Sequence, residues 1–196
     1  MEYLELGDLQ NHLARPLHES DARDITSQVL EGLQIMHENG FVHRDLKPGN
    51  IMVVAKRPWF VKIADFGISK RRLEDVTALH TLQRGTFGFA APEVFGLGSA
   101  SDDGSYTSAV DMWSLGAVVH GILTGAPPFR GLSDVVKYVT GATEFPVADL
   151  QKQNTSEHGQ DFITKLMACD PKDRPTAAIA ASHAWMTMHF DAVPDM

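Results

Sequence analysis

Residues 43–50 read His43-Arg44-Asp45-Leu46-Lys47-Pro48-Gly49-Asn50. Two fixed cations, a carboxylate and an amide fall within eight positions. Pro48-Gly49 rules out a continuing helix, so the stretch is a loop. On its amino-terminal side lies a helical pattern: Ser20 at the cap, Asp21 and Asp24 near the positive end, and Ile25, Val29, Leu30, Leu33 and Met36 in one stripe. Asn39-Gly40 stops that helix. On the carboxy-terminal side two strand-like runs, 51–54 and 60–64, flank a turn containing Pro58. The polar loop therefore sits between a long helix and the edge of a small β element. Two shorter motifs follow. Asp65-Phe66-Gly67 succeeds the second strand, and Ala91-Pro92-Glu93 closes a stretch without period that runs from 67 to about 86. An unstructured stretch of that length inside a compact domain is usually functional.

Further out, residues 8–13 predict a short helix stopped before Pro16. Helices are also expected at 110–123, 134–139, 160–168 and 176–186, with a Gly-, Ser- and Asp-rich loop over 96–108. Asp170-Pro171 ends one helix and Arg174-Pro175 precedes the next. Between Met112 and Phe129 there is no Asp, Glu, Lys or Arg. His120, Gly116, Gly121, Gly125 and Pro127-Pro128 within it favour a buried core helix over a membrane span. No internal repeat is visible. The order is helices, a small β element, an irregular loop, then a helical bundle.

The 196 residues suit one domain, and 43% apolar content argues against disorder. Seventeen Lys and Arg against 25 Asp and Glu give a net charge of −8. That excludes a generally basic surface, so no nucleic-acid or membrane partner is expected. One Cys excludes a disulfide framework and a Cys-based zinc cluster. The nine His are scattered, without ligand spacing. Cys169 reads as a packed thiol. The start has no basic n-region before an apolar run. These features lead to the expectation of a reduced compartment, cytoplasmic and/or nuclear. The sequon Asn154-Thr155-Ser156 would then never meet the glycosyl transferase.

The three motifs, in this order and spacing, resemble the eukaryotic serine/threonine protein kinase family. The resemblance covers nearly the whole chain and implies a mainly α fold: the helical C-terminal lobe of the protein kinase fold with a small β element, the N-terminal lobe missing. It divides the chain into a hinge segment at 1–8, the lobe at 9–190 with catalytic loop 43–50 and activation segment 65–93, and a tail at 191–196. It implies ATP and Mg²⁺ as cofactors, and protein Ser and Thr hydroxyls as acceptors. Asp45 would take the hydroxyl proton, Lys47 would lie against the moving phosphate, and Asn50 and Asp65 would hold Mg²⁺. Lys47, two residues after Asp45, is the serine/threonine form, as is Gly85-Thr86-Phe87-Gly88-Phe89. Thr86 would contact Asp45 and Lys47. Gly85-Thr86, Pro127-Pro128-Phe129 and His183-Ala184-Trp185 resemble the calmodulin-dependent-kinase-like branch.

Other positions are structural on this resemblance. Glu93 should pair with Arg174, and Asp111 should accept from backbone N–H groups of the His43-Arg44 turn. His43 and Phe66 should stack beneath the site, with Gly67 completing the second motif. Arg44 implies switching by a phosphate that an upstream kinase adds to the activation segment, at Thr81 in preference to Thr77. Lys70, Arg71 and Arg72 are further candidates to receive it. In the hinge-like start, Glu2 and Leu4 would offer backbone hydrogen bonds to adenine. Asp8 would meet the ribose, and Met52 would form the floor. Gly49 and Gly121 stand where basophilic relatives often carry Glu, implying little preference for an upstream Arg. Phe87 and Ala90 imply an apolar pocket for the residue after the target. The sequence holds no G-x-G-x-x-G ahead of the site, no strand Lys for ATP and no helix Glu to partner it. The expectation is a kinase that is inactive in this truncated form. The alternative is a non-catalytic kinase-like binding module, or a fragment of a mis-started gene model.

Overall fold

The computed structural model describes residues 5–65, 87–97 and 107–188. Its first long element is α1 (Glu19–Glu38). The cap is His18 rather than the expected Ser20. The His18 ring accepts from the Ser20 backbone N–H, so the chain turns helical two residues earlier. Glu19 and Asp21 occupy the first turn, where negative charge is favoured. Ala22, Ile25, Thr26, Val29, Leu30 and Leu33 form its buried stripe, while Met36 is half-buried. Before α1, Leu9–His12 is a 3₁₀ turn and not an α-helix, capped by the Asp8 carboxylate at 3.2 Å from the Asn11 N–H.

After the polar loop come β1 (Ile51–Lys56) and β2 (Trp59–Ile63), an antiparallel pair with Ile51 opposite Ile63 and Val53 opposite Val61. A register shift between Val53 and Ala55 lets β1 run past the expected 51–54. Gln28 fixes β2 to α1: its Nε2 donates to the Trp59 carbonyl at 2.9 Å and its Oε1 accepts from the Val61 N–H at 3.0 Å.

The centre of the molecule is α2 (Ala109–Thr124), in which every residue from Val110 to Leu123 is buried. It ends at Gly125, which has φ +84° and takes the left-handed position a side chain would strain. Around it stand α1, α4 (Val147–Lys152) and α5 (Glu157–Leu166). That enclosure explains a helix apolar on every face. Among the described residues, no helix is long and apolar enough to cross a membrane. Between α2 and α4 lies α3 (Leu132–Val139), whose Tyr138 joins Trp113, Phe129 and Phe145 in one aromatic cluster.

Two expectations change in the carboxy-terminal part. The helix α4 was not expected, and the single helix at 176–186 is two, α6 (Ala177–Ala181) and α7 (Ala184–Thr187). The break lies at Ser182-His183, where the His183 ring accepts from the Trp185 N–H at 3.2 Å and starts a new helix. This turn drives Trp185 fully into the core, and its indole N–H donates to Glu19 at 2.6 Å. Glu19 also accepts from the Ser156 N–H at 3.0 Å, so one carboxylate ties together the starts of α1, α5 and α7. Burying a large apolar side chain contributes about 1.5–3 kcal/mol, which sets Trp113 and Trp185 among the main contributors.

Candidate active site

The loop between α1 and β1 is built around a buried anchor. Asp111, in the first turn of α2, has no exposed surface. Its Oδ2 accepts from the His43 N–H and its Oδ1 from the Arg44 N–H, both at 2.8 Å. A carboxylate that accepts two backbone donors fixes the direction of a turn. The same Oδ2 lies 2.8 Å from Nε2 of His37. No motif pointed to His37. Its one trace in the sequence is spacing: it stands four residues after Leu33 and continues the buried stripe of α1.

Arg44 takes φ +67°, a left-handed conformation that is rare for a residue with a side chain. The anchored turn over-determines it and turns the next residue, Asp45, out of the core. His43 holds the turn from beneath. Its Nδ1 accepts from the Asp45 N–H at 3.3 Å and its Nε2 donates to the Ala64 carbonyl at 3.0 Å. One ring therefore links the loop to the end of β2.

The Asp45 carboxylate is oriented from two sides. Lys47 Nζ donates to its Oδ2 at 2.7 Å, and Asn50 Nδ2 donates to the same oxygen at 3.0 Å and to the Asp45 carbonyl at 2.8 Å. Oδ1 accepts no hydrogen bond among the described residues, so one carboxylate oxygen is left for an external donor. Asn50 is buried and immediately precedes β1. The Ala64 N–H donates to its carbonyl at 2.9 Å. The hairpin thus brings Asn50 and Asp65 to one open end. Asp65 is exposed, takes φ +62°, and has no hydrogen bond or ion pair among the described residues.

This donor set fits Mg²⁺. Asp65 offers a free, hard carboxylate. Asn50 spends its amide N–H₂ on Asp45, which leaves its amide oxygen open. Mg²⁺ takes one or two such oxygens and completes its shell with water and phosphate. Near the same end, the Val53 N–H donates to the Gly7 carbonyl at 2.9 Å, and Asp8 bridges to Met52. Asp8 and Met52, both half-buried, are therefore side by side.

Glu93 and Arg174 form a two-pronged buried ion pair with N···O distances of 2.6 and 2.9 Å. It pins the 3₁₀ turn Pro92–Phe95 to the loop after α5. Phe87, ahead of it, stacks on Phe95 with centroids 5.8 Å apart, and Ala90 is half-buried. Glu2, Leu4, Phe66, Gly67, Lys70, Arg71, Arg72, Thr77, Thr81 and Thr86 lie outside the described residues.

Comparison with known proteins places this geometry in a family. A family model for the protein kinase domain matches residues 1–186. The chain is 36% identical over 198 residues to serine/threonine-protein kinase RAD53 of Saccharomyces cerevisiae, covering 96% of this chain and 24% of that protein. It is 39% identical over 173 residues to calcium/calmodulin-dependent protein kinase type 1 of Caenorhabditis elegans, covering 86% of this chain and 47% of that protein. It therefore spans less than half the length of these curated relatives. Among solved structures, the Rad53 kinase domain and SCD2 in complex with AMPPNP matches with a TM-score of 0.79 at 34% identity, covering 100% of this chain and 71% of that one. With a mainly helical fold and, among the described residues, one two-stranded ribbon, the chain is a C-terminal-lobe-like part of that fold, similar to the calmodulin-dependent branch. It belongs to the protein kinase domain family.

Proposed function

We propose that this chain carries the phosphoacceptor half of a serine/threonine protein kinase that uses ATP and Mg²⁺. The observation that supports this most is the Asp45 carboxylate, with Oδ2 held by Lys47 and Asn50 and Oδ1 without a donor among the described residues. A Ser or Thr hydroxyl donating to Oδ1 would be aimed by it. As the hydroxyl oxygen bonds to the γ-phosphorus and the bond to the ADP oxygen breaks, the proton passes to Asp45. Lys47 then offers its charge to the phosphoryl oxygens within reach of the same carboxylate. Mg²⁺, held by Asp65 and Asn50, would supply the charge that offsets the phosphates.

The same reading includes Thr86 in the acceptor slot, and Glu2, Leu4, Asp8 and Met52 around adenosine. It keeps residues 1–8 as hinge, 9–190 as lobe and 191–196 as tail, in a cytoplasmic or nuclear protein. A phosphate placed by an upstream kinase on Thr81 or Thr77 would meet Arg44, whose buried Nε has no hydrogen-bond partner among the described residues. These 196 residues lack the glycine-rich loop and strand Lys that cover ATP phosphates. By themselves they leave the phosphates in water, where electrostatic stabilisation is weak. The chain alone is therefore inactive and works with a second lobe.

The test incubates the chain with labelled ATP, Mg²⁺ and a Ser/Thr peptide mixture, alone and joined to the amino-terminal lobe of a relative. Labelling is expected only in the joined form, and Asp45→Asn should lower it by about 10²–10⁴-fold. Strong labelling by the chain alone would remove the claim of inactivity. Full activity in the Asp45→Asn form would remove the assignment of Asp45.

A further inference from the structure

At the far tip of the β1–β2 hairpin is a cleft of about 230 Å³, away from Asp45. Its floor is apolar: Trp59 and Leu17, both half-buried. Its rim is basic. Arg15, Lys56 and Arg57 surround it with His12, against the single carboxylate of Asp21. In a chain of net charge −8 this is a local reversal of sign. None of the three fixed cations has an ion-pair partner among the described residues. Lys56 Nζ instead lies 5.9 Å from the Trp59 ring centroid. Three cations gathered around one carboxylate raise the local potential, and the low-dielectric floor focuses it.

The cleft is also built. Gln28 clamps the backbone on both sides of Phe60, so the Trp59 ring cannot drift with the hairpin tip. His12 meets Trp59 edge-on at 6.1 Å, and its Nε2 donates to the Leu6 carbonyl at 2.8 Å. The volume falls below the roughly 300–1,000 Å³ of small-molecule sites. It suits one apolar side chain of an extended segment, with carboxylates on either side meeting the cations.

We propose that this cleft is a docking site for an acidic peptide segment of a partner protein, with an apolar residue seated on Trp59. Together with the phosphotransfer reading above, the placement gains a use. The open end with Asn50 and Asp65 and the tip with Lys56 and Trp59 are separated by the six residues of β1, roughly 20 Å at strand rise. A segment docked at the tip would hold a Ser or Thr further along its own chain near Asp45 at high effective concentration. The binding itself does not depend on catalysis and is tested without it.

Trp113 and Trp185 have no exposed surface, so Trp59 alone among the three Trp residues reports contact with solvent. The assay is acrylamide quenching of the full chain's fluorescence, titrated with an eight-residue peptide of Glu and Asp flanks around a Leu-Phe centre. Protection of Trp59 is expected, weakening with added salt. The doubly substituted Arg15→Glu, Arg57→Glu chain should bind about tenfold more weakly or worse, because two attractions become repulsions. Lys172→Glu, a charge change at an exposed site elsewhere, should leave binding unchanged. The proposal is overturned if the acidic peptide gives no protection or its Lys-flanked counterpart protects as well. It is equally overturned if inorganic phosphate or single-stranded DNA protects as well at the same concentration.

Discussion

Replacing Arg174 by Ala is the most informative test of what holds this fold together. The guanidinium has no exposed side-chain surface and makes five donations. Two go to Glu93, and the others to the carbonyls of Ala168 at 2.8 Å, Ala109 at 3.0 Å and Cys169 at 3.3 Å. It also lies 5.0 Å from the centroid of Trp113. Arg174→Ala leaves the Glu93 carboxylate buried without its cation, a loss of about 3–5 kcal/mol. Loss of the contact with Trp113 adds about 0.5–2 kcal/mol. Set against a total stability of about 5–15 kcal/mol, this is roughly a quarter or more of the fold. With a urea m value of about 2 kcal/mol/M, the midpoint should fall by about 2 M. Urea unfolding followed through the buried Trp113 and Trp185 reads this directly. The paired replacement Glu93→Leu, Arg174→Met removes both charges and should recover most of the loss. A midpoint shift below about 0.5 M for Arg174→Ala, or simple additivity of the two single changes, would refute the reasoning.

Asp111→Ala leaves the His43 and Arg44 N–H groups buried without acceptors, at about 1–3 kcal/mol each, and should lower the urea midpoint accordingly. Gly116→Ala places a Cβ 2.5 Å from Met167 Cγ and 3.0 Å from Leu166 Cβ. It should cost about 1–3 kcal/mol despite the better helix propensity of Ala, read as a lower melting temperature. Burial holds the His120 imidazole below its ordinary value of 6.5, outweighing the hydrogen bond to the Ala126 carbonyl and the nearby Asp149. The unfolded chain then takes up a proton that the folded one refuses. The His120 contribution is complete above 6.5 and is lost as pH falls through 6.5 towards the lower folded value. His120→Asn should flatten that part of the stability–pH curve, and an unchanged slope would count against the assignment.

The parts of the molecule set by local rules were readable from the chain. The uncharged run around Trp113 marked a helix buried on all sides, and Asn39-Gly40 marked where α1 stops. The motif around Asp45 marked the loop whose contacts centre on Asp111. What escaped depended on side chains acting outside their common roles. His18 and His183 cap helices through ring nitrogens, so α1 starts before Ser20 and the last helical stretch breaks in two without Gly or Pro. The helix α4 has only six residues, too few to show a period. His37 carries no motif, and its approach to Asp111 spans 74 positions. The basic cleft at the hairpin tip joins residues 12–21 to 56–59, and charge totals average it away.

The enclosure of α2 has a consequence for how the chain is made. Translation delivers Thr124 about forty residues before Leu166, the end of the helix α5 that covers it. At about 5–20 residues per second, roughly 2–8 s pass between the two. At the start of that interval the most apolar segment of the protein has α1 on one side, and its other faces wait for α4 and α5. The nascent chain then exposes its most apolar helix, and a holding chaperone that binds short apolar stretches would act on α2.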